Sequence, residues 1–107
     1  MHQKAHMLLE RSESWGKIHS ARNEWGHPCD VSSQEACCFC ALGAIMKCYP
    51  DPVDQEGAVL KLMQHLVRVL HVPYYDHDFD HDVITRWNDD RDRTHAEVHS
   101  TLTLLGI

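Results

Sequence analysis

The chain has no run of about 18 apolar residues, so none of its 107 residues forms an obvious membrane-spanning helix. Its first residues, Met1-His2-Gln3-Lys4, lack the apolar stretch of a secretory signal. The five cysteines are odd in number, so they cannot all pair internally. Without a signal they are expected as free thiols in a reducing, cytoplasmic setting. Basic charge is also scarce: 10 Lys and Arg stand against 16 Asp and Glu, a net charge of −6. With no basic stripe, the chain is a poor match for nucleic acid or an anionic membrane. Repeats, low-complexity tracts and flexible linkers are absent, which predicts one helical domain over 1–107.

What is present is helical patterning. Ala5, Leu8 and Leu9 share one face of a helix expected over Lys4 to Ser14. Residues Trp15 to Val31 have no period and read as an ordered loop anchored by its indoles, with a hairpin as the alternative. Ser32-Ser33-Gln34-Glu35 has the form of a capping box, a hydroxyl followed three residues later by a carboxylate. It predicts a helix from Ser33 to Cys48 whose middle, Ala36 to Met46, is apolar all round and therefore buried. Gly43 within it would admit a close helical neighbour. Asp51-Pro52 opens the next helix, with Asp51 as cap and Pro52 at the first helical position. Val59, Met63, Leu66, Val67 and Leu70 form its stripe; Gly57 weakens its first turns by about 1 kcal/mol, which suggests a packing or hinge reason. Val83, Ile84 and Trp87 face inward on a short helix from Asp80. The last helix begins at a second capping box, Thr94 to Glu97, and ends at Gly106. The expected fold is all-α: a compact bundle of about five helices around a buried central helix, 36–46.

Three motifs in order carry a resemblance. They are Cys40-Ala41-Leu42-Gly43-Ala44-Ile45, then Trp87-Asn88-Asp89, then Arg93-Thr94-His95-Ala96-Glu97-Val98. Together they resemble a family of small bacterial and phage proteins known only as a domain of unknown function. The resemblance runs from about Trp15 to Leu105 and implies a small helical domain. It implies no reaction.

Candidate site residues have two readings each. Trp87, Asn88 and Asp89 could rim a pocket for a polar ligand; the structural reading makes Trp87 a core anchor and gives Asn88 and Asp89 backbone amides to bind. The structural reading is favoured. The run Asp76-His77-Asp78-Phe79-Asp80-His81-Asp82 holds metal-ligand residue types, and His77 and His81 lie four apart. However, a His-Glu-x-x-His signature is missing, as are the glycine and distal glutamate of a calcium loop. A solvated acidic loop with adventitious zinc or nickel binding is the favoured reading, and no cofactor is expected. Cys37-x-x-Cys40 has no second pair to complete a zinc site, so the helix cysteines read as core, leaving Cys29 as the exposed thiol.

Asp76 to Arg93 contains seven aspartates against three arginines, a balance of −4. The expected function is therefore non-catalytic: an accessory or inhibitor docking on a basic protein surface through Asp78, Asp80 and Asp82, with Tyr74 and Tyr75 as anchors. The alternative is a small-ligand or metal-binding, even enzymatic, domain at Trp87-Asn88-Asp89 and the His/Asp loop. Homo-oligomerisation is a third expectation, from the amount of apolar helix in so short a chain. The histidines would gain charge below about pH 6.5, making any binding sensitive to pH.

Overall fold

The computed structural model describes residues 3–75 and 79–107. Its elements run α1 (Ala5–Leu8), a 3₁₀ turn (Ser12–Ser14), β1 (Ala21–Arg22), β2 (Cys38–Phe39), α2 (Ala41–Cys48), α3 (Pro52–Arg68), α4 (Asp80–Asp89) and α5 (His95–Leu105). Five helices dominate, but a two-stranded antiparallel sheet joins them, so the fold is mostly helical rather than purely all-α. In its register Ala21 faces Phe39 and Arg22 faces Cys38.

The sheet explains the largest departure from expectation. Ser32 does not cap a helix. Instead Ser33 Oγ accepts from Glu35 N at 3.1 Å, closing a local turn. The backbone of Cys37 then donates to Arg22 O at 2.9 Å and enters the strand pairing. A short apolar run satisfies strand and helix patterns alike, and pairing with β1 claims this one. The central helix thus spans 41–48 rather than 33–48, so the buried middle expected over 36–46 is helical only from Ala41. Its cap is Cys40, whose Sγ accepts from Gly43 N at 3.2 Å. Gly43 does permit a close approach, but of a loop rather than a helix: an added Cβ would lie 1.9 Å from Ser20 O.

The central position of α2 holds. Ala41, Ala44 and Ile45 are fully buried, and α1, α3, α4 and β2 all pack on α2. Leu62 and Leu66 of α3, Val83 and Ile84 of α4, and Val98 and Leu102 of α5 complete one core. The Cα radius of gyration, 12.8 Å, matches the roughly 13 Å expected of a packed chain this long.

The first helix is shorter than its pattern. It stops after Leu8 because residues 10–14 offer nothing apolar to bury, and the Leu9 carbonyl is taken by the His95 ring rather than by a later amide. Helix α3 begins as expected, with Asp51 Oδ1 accepting from Val53 N and Asp54 N at 2.9 and 3.2 Å. Nothing lies within 4 Å of a Cβ at Gly57, so packing does not account for that glycine. Helix α5 ends in the left-handed glycine turn expected: Gly106 has φ 71°, and Ile107 N donates to Leu102 O at 3.2 Å. The buried Ile107 closes that turn against the core.

Candidate functional site

The end of α4 meets the loop after the 3₁₀ turn and the start of α2, and Asn88 sits at that junction. Asn88 is the fully buried polar side chain of the described core. Its Oδ1 accepts from Trp15 Nε1 at 2.8 Å and from Ala41 N at 3.0 Å. Its Nδ2 donates to Gly16 O at 3.1 Å and to Asp89 Oδ1 at 2.9 Å. A carboxamide has two N–H donors and two acceptor lone pairs; all four are used within the chain. Asp89 Oδ1 also accepts from Ile18 N at 2.9 Å. Ile18 has φ 78°, a conformation a β-branched residue rarely adopts, so Asp89 holds a strained turn in place.

Two cations seal the junction. Lys17 Nζ donates to Asp90 O at 2.6 Å and Arg91 O at 3.2 Å, capping α4. Arg93 lies over the Trp87 ring, 5.1 Å from its centroid. It donates from Nε to Trp87 O at 2.9 Å and pairs with Glu97 Oε2 at 3.0 Å. Trp87 is buried, and Trp15 is half-buried against the core. Trp25, expected as a second loop anchor, is exposed instead.

Beside the junction, the α3–α4 connector carries exposed apolar surface. Val69, Leu70, Tyr74, Tyr75 and Phe79, in and around the α3–α4 connector, are all exposed. Arg86 pins the connector: its Nη2 donates to Pro73 O at 2.7 Å, and its guanidinium lies 5.4 Å from the Tyr75 ring centroid. Open clefts flank the connector. One, of about 490 Å³, is lined by Leu70, Val72, Trp87, Arg93, Ala96, Glu97, Ser100 and Thr101. Another, of about 430 Å³, lies between α3 and α4 and is lined by Pro52, Gln55, Glu56, Val59, Phe79, Asp80 and His81. Asp82 Oδ2 accepts from Phe79 N at 3.2 Å, so one expected docking carboxylate also caps α4. Asp78 and His77 lie outside the described residues. His81 is exposed, and among the described residues no group of three His, Cys, Asp or Glu side chains is placed to hold a metal ion.

A family model, that of a family of unknown function (DUF6197), matches residues 2–104. The chain belongs to DUF6197. This is the kind of family that the three motifs resemble. No curated protein and no solved structure shows a significant match.

Within this DUF6197 chain, the motif residues Trp87, Asn88, Asp89, Arg93 and Glu97 form the junction, while the exposed Tyr74, Tyr75 and Asp82 and the half-buried Asp80 gather at the connector. Sequence reasoning missed Trp15 and Ile18 as partners of Asn88 and Asp89. No spacing signals a bond across 73 residues. It also missed Phe79 as the apolar neighbour of the acidic run. Among the thiols, Cys37 is the exposed one and Cys29 is half-buried. The exposure of Cys37 follows from its strand-entry position, since the expected helix would have buried it. Cys40 and Cys48 are buried as expected, and burial pushes the Cys48 thiol up to about 11.

Proposed function

We propose that this DUF6197 chain is a non-catalytic binding module that docks on a basic protein surface through the α3–α4 connector and the start of α4. One observation carries the reading. Five of the eleven exposed large apolar side chains among the described residues fall within the eleven positions 69–79. Clustered exposed apolar groups mark interaction surfaces, and aromatic ones supply the anchors. Asp80 and Asp82 adjoin them on a chain of net charge −6, which matches a basic partner. Support also comes from Asn88: with all four of its hydrogen-bonding positions used internally, the polar group most suited to holding a ligand is already occupied. We place the module in the cytoplasm of a bacterium, its own or a phage's host, as an accessory or inhibitor.

Affinity capture from a bacterial lysate at low and high salt tests the reading. Replacing Tyr75 and Phe79 with serine should abolish capture, while Trp25→Ser, an equally exposed change elsewhere, should leave it intact. Asp80→Asn with Asp82→Asn removes charge yet keeps an acceptor to cap α4, and should weaken capture most at low salt. Capture insensitive to both pairs of changes would overturn the proposal.

A further inference from the structure

Three histidines converge where the N-terminal segment lies on α5. His95 and His99 are one helical turn apart, and their rings stack with centroids 5.6 Å apart and planes 18° from parallel. His6 of α1 meets His99 edge-on at 6.4 Å. Trp15 tilts against the other end of the row, 6.4 Å from His95. The row of rings therefore spans the seam from α1 to the loop after the 3₁₀ turn.

Beside α5, the segment also rests on α2, and Trp15 ties the chain beyond it to Asn88. The segment's buried anchors are Ala5 and Leu9. His6 N donates to Ile107 O at 3.1 Å, and the His95 Nε2 meets the Leu9 carbonyl, which requires a proton on that nitrogen. Helix α1 has only four residues, too few to persist undocked.

The charged neighbours do not favour added positive charge. On the segment itself, Lys4 and Glu10 face His6; from α5, His99 does. Lys17 Nζ lies 5.7 Å from the Trp15 ring at the far end of the row.

We propose that His6, set edge-on against His99, is a pH-operated latch, holding the segment 3–10 on α5 while its ring is neutral and releasing it when that ring becomes charged. The His6 pKa agrees. It lies below the ordinary 6.5, through burial first, then His99, then Lys4, with Glu10 opposing. The undocked segment therefore takes up a proton more readily than the docked one. Docking is fully favoured above about pH 6.5 and is lost as the pH falls through the window beneath it. Release uncovers the apolar surfaces of α1, α2 and α5 that Ala5 and Leu9 now join.

Amide hydrogen exchange from pH 7.5 to 5, corrected for the intrinsic dependence of exchange on pH, tests the latch. Protection of residues 3–10 should fall relative to that of α3. His99→Gln removes the ring between the other two and should abolish that fall. An unchanged fall in H99Q, or loss of protection in α3 in parallel with the segment, would overturn the proposal. Ring titration by NMR supplies a readout on the unaltered chain. A His6 midpoint below 6.5 supports the latch; a midpoint at or above 6.5 sinks it.

Discussion

Asn88 is the residue on which the junction turns. Replacing it with alanine removes the partner of the buried Ala41 amide and of the half-buried Trp15 indole N–H and Gly16 carbonyl. Each orphaned buried group costs about 1–3 kcal/mol. With one of the three fully buried, Asn88→Ala should cost about 1–3 kcal/mol. Asn88→Asp separates the donor side from the acceptor side. It keeps Oδ1 for Trp15 and Ala41 but sets a second carboxylate against Asp89, whose Oδ1 now lies 2.9 Å from the Asn88 amide nitrogen. At neutral pH it should be about as harmful as alanine. On acidification to pH 4 its deficit relative to the parent should shrink, because one proton shared by the two carboxyls restores a donor. Urea melts at both pH values measure this. A deficit for N88D that does not change with pH would mean that the carboxylates do not face each other.

The elements differ in how far their sequences announce them. Helix α5 is legible because its boundaries are local chemistry. Thr94 N donates to Glu97 Oε1 at 3.0 Å, and Glu97 N donates to Thr94 Oγ1 at 3.3 Å. Asp51 and Gly106 are legible for the same reason: cap and partner lie within a few residues. Ser32 carries the same signal and fails, because the choice there is made by β1, whose partner strand lies sixteen residues away at Cys38. The candidate site divides in the same way. That Trp87 would be buried was readable from helical spacing, whereas the Trp15–Asn88 bond needs the finished fold. The α5 cap also yields a prediction. Thr94→Ala should cost about 1 kcal/mol. The Glu97 carboxyl is held below its ordinary 4.5 by the Thr94 backbone N–H first and its hydroxyl second, with Arg93 contributing its charge. Its stabilising effect is therefore present above 4.5 and fades as the pH falls through the lower folded value. Part of that effect rests on the Thr94 hydroxyl, so thermal melts from pH 7 to 3 should show a shallower acid loss in T94A. An acid limb as steep as the parent's would assign the effect to other carboxylates.

At the scale of the whole molecule, charge and apolar surface act against each other. A net charge of −6 keeps copies apart near neutrality, while the exposed connector gives them an apolar face to share. The balance depends on the ten histidines. Charging all of them would move the formal net charge from −6 to −6 + 10 = +4, and the isoelectric point falls near 5.9. Repulsion therefore vanishes about one to two units below neutrality, close to the ordinary histidine value of about 6.5. Self-association should rise as the pH falls from 7.5 toward 6 and recede again by pH 4.5, where the chain carries net positive charge. Association through the connector makes a sharper claim than low net charge alone. Tyr75→Ser with Phe79→Ser should lower the association near pH 6, and Trp25→Ser should not, although neither set changes the charge. Light scattering with a fixed protein concentration measures both. If all three forms associate equally at pH 6, the connector is not the face that copies share, and the apolar surface there is left to a different protein.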